Sequence, residues 1–493
     1  MTKGDPVSTT ARKGRPPGIA RGGGGAGRAP VPGPAGPGMG GRAGAGAGAG
    51  DGEAAAAAAA VVVGAGFAGL RALRALGPGG GPGARRVLVV DAKGFFEYTP
   101  AAPRALVCPA TAEASLRPLP AGAVWGRVVG LEAAPGAHGA PRRSRLTVVL
   151  EDGRRIPCQV VIWASGSQYP CRALKPGLSP GPESRASLPE GCPLAARRAE
   201  LQAAREVLRG ARRVAVLGGG QAGVELAAEV AGEFRGEKRV LLAGGAARLL
   251  PGMPPRAGVF AQKWLEARGV QVWLGSRARV RPGSQELSSS GSHFVEGPEG
   301  SLFEADVVYD CTGNLFPPGA LPPQLRSGHE PGKVRVDAAL RVEGWDGSVF
   351  AWRSGEVFAC GDICEPRALQ TAFRAEIAGE AAGRNARRML AGEEPRDLPL
   401  SPSPTVVTVS LHRCCGILQF NGLVLCGFLA TVVKAAVEAC VLSSVAGNPL
   451  GIWAMAFMEH AAFFLGRVVP PPSRESQEEV LQLKRKKKSV YLR

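Results

Sequence analysis

Three short segments of the 493-residue sequence have residue types and spacing suited to chemistry. Gly64-Ala65-Gly66-Phe67-Ala68-Gly69 is a G-x-G-x-x-G run, and Asp91 follows 22 residues after Gly69. Glycines so spaced let the backbone approach a pyrophosphate at a helix N-terminus, and the acid can hold a ribose hydroxyl. Gly218-Gly219-Gly220-Gln221-Ala222-Gly223-Val224-Glu225 repeats the pattern. One such fingerprint suffices for a simple dehydrogenase, so two assign FAD to the first and NAD(P)H to the second. The third segment is Val357-Phe358-Ala359-Cys360-Gly361-Asp362. Gly361 would permit close approach to a flavin, and Asp362 could accept a hydrogen bond from a ribityl hydroxyl. The positive end of a helix predicted within 369–390 would then favour negative charge on reduced flavin.

These segments need particular elements around them. Val61–Val63 and Val87–Val90 have the signature of short buried strands, with helical spacing over Leu70–Leu76 between them, which makes a βαβ unit. The same order returns about 150 residues later as strand Val214–Leu217, a helix over 224–234 and strand Val240–Leu242. Strand Val160–Trp163 ends at Ala164-Ser165-Gly166, and Ser165 and Gly166 join Ala65 among the residues expected at the cofactor. Val307–Tyr309 ends similarly at Cys311-Thr312-Gly313. The expectation is an α/β fold with two Rossmann-type dinucleotide-binding domains and a C-terminal membrane-associating or packing segment. Its boundaries are a low-complexity, disordered segment at 1–58, an FAD domain at 59–205 with 335–400, an NAD(P)H domain at 206–334, an apolar segment at 401–470 and a basic tail at 471–493. Segments 132–145, 282–300 and 316–332 are rich in Gly, Pro or Ser and read as loops or insertions.

The formal charge of +19 resembles a nucleic-acid signal, but its distribution argues otherwise. Residues 1–50 hold seven Lys or Arg against Asp5 alone, and the last ten residues hold six basic residues and no acid, which leaves +7 over 51–483. A core this mildly basic needs no polyanion, so no nucleic-acid partner is expected, and the charged tail suits membrane steering. The eleven cysteines include no C-x-x-C, and none lies between the first glycine motif and Cys108, where flavin disulfide reductases keep their redox pair. No metal site is read from the sequence. The N-terminus lacks a signal-peptide pattern, whereas its Arg content and the Ser8-Thr9-Thr10 cluster allow an organellar transit segment as well as a plain tail.

From Thr405 the character changes to a β-branched run at 405–409 and apolar stretches at 416–433 and 450–465. Gln419, Asn421, Lys434, Glu438 and Glu459 interrupt or flank these stretches, so amphipathic helices in one leaflet fit better than membrane spans, with core packing as the alternative. His412 and His460 are read as surface or packing residues rather than proton donors.

Val61–Gly69, Phe95-Phe96-Glu97-Tyr98-Thr99-Pro100, Gly218–Glu225, Cys311-Thr312-Gly313 and Ala359–Asp362 occur in the order seen in type II NADH:quinone oxidoreductases. The chain resembles those enzymes and the apoptosis-inducing-factor-like ferroptosis suppressors over 61–395, and more loosely over 405–466. The resemblance implies transfer of reducing equivalents from NAD(P)H through FAD to a quinone. It places Gly64, Gly66, Gly69, Asp91 and Asp362 at FAD, with Phe95–Pro100 near the flavin. Gly218, Gly220, Gly223 and Glu225 line the nicotinamide side, and Glu225 is the catalytic residue it names. It also implies membrane association, in a mitochondrion or another organelle or on a cytoplasmic face, and leaves a homodimer open. Two departures stand out. Gln370, counted among the cofactor residues, occupies a position where the family often has Lys. The strand after the second fingerprint ends at Ala243-Gly244-Gly245 without an acid, so weak discrimination between NADH and NADPH is expected, with Arg248 as phosphate partner. The rival readings are a slow, redox-sensing interaction protein resembling apoptosis-inducing factor and a soluble flavin reductase of another acceptor.

Overall fold

The computed structural model describes residues 58–77, 86–133, 146–175, 193–282, 292–316, 321, 325, 332–343, 356–365, 371–398 and 404–471, all within the unit Ala55–Arg493. The low-complexity N-terminus up to residue 57, Gln370 and the basic tail from 472 lie outside the described residues.

Strand β1 (Ala58–Val63) is buried at every position, as expected of a strand covered on both faces. It leads into helix α1 (Phe67–Leu76) and then β2 (Val87–Asp91), which pairs with β1 in parallel. Strands β3 (Val124–Trp125), β4 (Val128–Ala133), β5 (Leu146–Leu150) and β6 (Arg155–Trp163) complete most of a seven-stranded sheet in the order β3-β2-β1-β6-β5-β4. The length of β6 lets it serve two neighbours on one side. Residues 155–158 pair antiparallel with β5, and residues 161–163 pair in parallel with β11 (Val357–Ala359). Chain from far down the sequence thereby closes the first βαβ unit.

Helix α2 (Pro193–Gly210) leads to the second unit: β7 (Arg213–Leu217), α3 (Gln221–Phe234), β8 (Arg239–Ala243), α4 (Pro255–Glu266) and β9 (Gln271–Trp273). With β10 (Val307–Asp310) these strands form a four-stranded parallel sheet in the order β9-β8-β7-β10. The segment 282–300, read as a loop, instead contains a strand at His293–Glu296 that pairs antiparallel with Leu302–Ala305. At four residues it is too short to give a periodic signal among the surrounding Gly and Ser.

Helix α5 (Ala372–Leu390) packs against α1 at backbone contact. A Cβ added to Gly379 would lie 2.1 Å from the Ala68 carbonyl oxygen, and one on Gly383 would lie 2.4 Å from that of Ala72. Only glycine at these positions permits the approach.

The C-terminal region departs from the sequence expectation. The apolar stretch from 416 is not helical at its start: β12 (Val406–Ser410), β13 (Gly416–Phe420) and β14 (Leu423–Gly427) form an antiparallel sheet. Val407, Val409, Ile417 and Val424 from this sheet join the core built on β7, β8 and α3. Helices α6 (Phe428–Val445) and α7 (Pro449–Val468) follow and pack on each other.

Candidate functional site

The two fingerprints fold into the same local geometry. Gly64 and Gly218 adopt φ of +102° and +119°, and a Cβ on them would lie 2.4 Å from the Ala164 carbonyl oxygen and 2.3 Å from that of Cys311. Gly69 and Gly223 close each helix onto its turn, since a Cβ there would lie 1.7 Å from the Gly64 carbonyl oxygen and 1.9 Å from that of Gly218. At Gly66 and Gly220 an added Cβ meets nothing within 4 Å. The first and last glycines of each motif are thus required by the protein itself, while the middle one faces open space. That space is where a pyrophosphate would lie. Gly66 and Gly220 are also the N-caps of α1 and α3, and no side chain caps either helix, so first-turn amides remain for an anion. The described residues fit the dinucleotides that the sequence calls for.

Asp91 shapes the first turn as well as facing it. Its Oδ2 accepts from the Ala65 amide at 2.7 Å, and Oδ1 accepts from the amides of Lys93 and Gly94 at 2.7 and 3.1 Å. A carboxylate has about four acceptor sites, which leaves one for a ribose hydroxyl. Gly361 has φ of +82°, and beside it Asp362 Oδ2 accepts from the Ser167 hydroxyl at 2.8 Å. Lys175 donates to the same hydroxyl at 3.3 Å, and burial pushes its ammonium down to about 8 against the opposing charge of Asp362. Ser165 Oγ accepts from the Trp163 indole at 3.0 Å, and Gly166 sits in the left-handed region at φ +69°. All three strand ends, 64–66, 165–167 and 360–362, gather at the carboxyl edge of adjacent parallel strands.

Glu225, in the second turn of α3, is buried and does not cap its own helix. Its Oε1 accepts from the Ser410 amide at 2.7 Å and from Lys434 Nζ at 2.5 Å, and Lys434 also donates to the Pro100 carbonyl at 3.5 Å. Glu229, one turn further, has Arg104 at 3.7 Å and no hydrogen-bond donor among the described residues, and burial raises its carboxyl to about 7. No local motif in the sequence marks Lys434 as part of this site. The available signal was a lone ammonium inside an apolar helix, which demands a buried partner.

The first fingerprint helix is tied to the same C-terminal hairpin. Arg71 bridges Glu380 of α5 and Glu459 of α7, both at 2.5 Å, and Arg74 donates to the Ser444 hydroxyl and carbonyl at 2.7 Å. Phe96 and Tyr98 pack with Val441, Leu442 and Met455, so these two side chains of the 95–100 segment share one core with α6 and α7. The outer faces of these helices leave Phe428, Leu429, Leu450, Trp453, Phe457 and Phe464 exposed.

Arg248 stays near the second cradle, where the Leu250 amide donates to the Gly219 carbonyl at 2.8 Å, while His412 and His460 occupy packing and surface positions. Arg248 is committed to turn carbonyls, donating to Leu250, Met253 and Pro251 at 2.9–3.2 Å. His412 lies against Gly232 and 3.3 Å from Glu233, and His460 is exposed on α7 with its Nδ1 2.7 Å from the Ala456 carbonyl oxygen.

The profile of the pyridine nucleotide-disulphide oxidoreductases matches residues 58–378. Oxidoreductase ptaL of Pestalotiopsis fici is 27% identical over 234 residues, 46% of this chain, which spans only 57% of that relative. Ferroptosis suppressor protein 1 of Xenopus tropicalis is 25% identical over 380 residues, 76% of this chain and 91% of the relative. The alternative NAD(P)H-ubiquinone oxidoreductase C1, chloroplastic/mitochondrial, of Arabidopsis thaliana is 30% identical over 164 residues, 30% of this chain and 29% of the relative. Among solved structures, the sulfide:quinone oxidoreductase of Aquifex aeolicus shares the fold, with a TM-score of 0.57 at 13% identity, covering 80% of this chain and 92% of that one. With two glycine cradles in the expected geometry and more than half its length matched, the chain belongs to the pyridine nucleotide-disulphide oxidoreductase family and is an NAD(P)H-dependent, FAD-containing oxidoreductase.

Proposed function

We propose that the chain passes reducing equivalents from NAD(P)H to a quinone at a membrane surface. The observation that carries this reading is the continuity between the 95–100 segment and the α6–α7 hairpin, whose far side is an exposed apolar face. A lipid-soluble acceptor could reach the flavin side of the molecule from such a face without crossing water. The name of the Arabidopsis relative gives ubiquinone as that protein's acceptor. Although α6 is long and apolar enough to cross a membrane, Lys434 and the Arg74–Ser444 contacts tie one side of the hairpin to the body. Peripheral insertion of the outer face fits that arrangement.

In this reading the FAD part takes 59–205 with 335–400, and the NAD(P)H part takes 206–334. When bound, FAD supplies the redox chemistry, taking up hydride from NAD(P)H and giving electrons to the acceptor. The chain's own groups bind and orient. The amides at 64–69 and 218–223 hold the two pyrophosphates, and Asp91 and Asp362 take hydroxyls of the first cofactor. The N-terminus of α5, capped by Thr371, would present its positive end to the flavin. With its Oε1 held by Lys434 and the Ser410 amide, Glu225 would have Oε2 left to accept a hydrogen bond on the nicotinamide side. Steady-state NAD(P)H oxidation with and without a short-chain quinone tests the proposal. Fast turnover that requires the quinone supports it, and turnover indifferent to quinone rules it out.

A further inference from the structure

We propose that Arg277 binds the 2′-phosphate of NADPH and makes the second nucleotide site selective for it, an inference that rests on assigning NAD(P)H to the second fingerprint. Strand β8 ends at Ala243-Gly244-Gly245, where a carboxylate would hold ribose hydroxyls and repel a 2′-phosphate. An arginine stem covers that place instead. A Cβ built on Gly245 would lie 3.0 Å from Arg277 Cγ and 3.9 Å from its Cα. The preceding Gly244 is in contact with the fingerprint turn, since a Cβ on it would lie 3.2 Å from Gly219 Cα. Arg277 therefore lies over the residue next to the cradle, at the carboxyl end of the parallel strands, where dinucleotides bind.

The position is fixed from both sides. Gly244 donates to the Trp273 carbonyl at 2.7 Å and Gly275 donates to the Ala246 carbonyl at 2.9 Å, so the 274–277 loop is laced to the end of β8. Arg277 is exposed, and none of the ion pairs or side-chain hydrogen bonds among the described residues uses its guanidinium. Arg248, the other arginine near this strand end, spends its donors on three backbone carbonyls. A planar guanidinium offers paired N–H groups matched to phosphate oxygens, and a fixed backbone limits the freedom lost on binding.

Calorimetry on the FAD-loaded full chain with 2′,5′-ADP and 5′-AMP reads this directly, without turnover. The expected result is that 2′,5′-ADP binds at least about tenfold tighter than 5′-AMP, the scale of a charge-assisted pair. Arg277→Ala should bring the ratio close to one while the affinity for 5′-AMP stays near its original value, and Arg277→Glu should invert the preference. Flavin content and Tm, which an exposed arginine should not move, confirm that each variant folds. Equal binding of the two ligands by the unaltered chain, or a preference that survives Arg277→Ala, overturns the proposal. If the unaltered chain binds neither ligand, the nucleotide assignment of the second fingerprint falls, and the proposal with it.

Discussion

Lys434 Nζ lies 2.5 Å from Glu225 Oε1, and both side chains are buried although 209 residues separate them. The pair joins the second fingerprint helix to the C-terminal hairpin. Breaking such a pair from one side leaves an uncompensated buried charge. Lys434→Met should therefore lower stability by about 3 kcal/mol or more, and adding Glu225→Gln should restore most of the loss. Urea unfolding of the single and double variants measures this, and additive losses would contradict it. Glu225→Gln alone should slow reduction of the flavin by NAD(P)H, about tenfold for each 1.4 kcal/mol of lost stabilisation, with FAD retained.

Glu229 gives a prediction about pH. Burial lifts its carboxyl from the ordinary 4.5 to about 7, while Arg104 opposes the shift. Between those values the folded chain keeps a proton that the unfolded chain has lost. Its contribution to stability is therefore full at low pH and declines as pH rises to about 7. Above that, the folded state holds a buried carboxylate. Glu229→Gln should lose less stability than the unaltered chain between about pH 5 and 7, with a difference of up to about 3 kcal/mol at the upper end. Thermal melts across this range read it as diverging Tm curves, and parallel curves would be evidence against the shift.

The first cradle makes a colour prediction. An added Cβ at Gly66 meets no protein atom within 4 Å, so Gly66→Val should fold while its isopropyl group occupies the pyrophosphate space. The purified variant should be colourless. Full flavin content with the native fold would overturn the assignment of FAD to this fingerprint.

The short-range features of this fold were legible in the sequence because each is written within a few residues. Both fingerprints, the strand before each and the Gly361-Asp362 turn depend on local spacing, and they lie where that spacing places them. Contacts across long separations were not legible. Lys434 reads locally as an interruption of an apolar helix, and only the fold shows that Glu225 receives it. Arg248 is near β8 in sequence, whereas the residue lying over Gly245 is Arg277, beyond a helix and another strand. Residues 416–427 look like the start of a helix because their apolar run continues into α6. The change occurs at Gly427, whose φ of +103° turns the chain between strand and helix.

The exposed face of the hairpin should matter for lipid and not for folding. Trp453 and Phe457 stack with ring centroids 5.6 Å apart on its outer side. Replacing both by Ser removes apolar area that the body does not bury, so vesicle co-flotation should fall while Tm and flavin content hold. A deletion after residue 400 is less informative, because it would also remove Val407, Val409 and Ile417 from the core. Unchanged flotation of the double variant on anionic vesicles would count against membrane attachment through this face.

Electron flow from NAD(P)H through a bound flavin to a quinone can be followed in one anaerobic experiment. The purified chain is titrated with NADPH until the visible flavin band bleaches, and a short-chain quinone is then added under the same conditions. Stoichiometric NADPH should bleach the band completely, and quinone should return it rapidly. A band that stays bleached in the presence of quinone would rule out the proposed acceptor, and a band that NADPH and NADH both leave unchanged would rule out hydride transfer to a bound flavin.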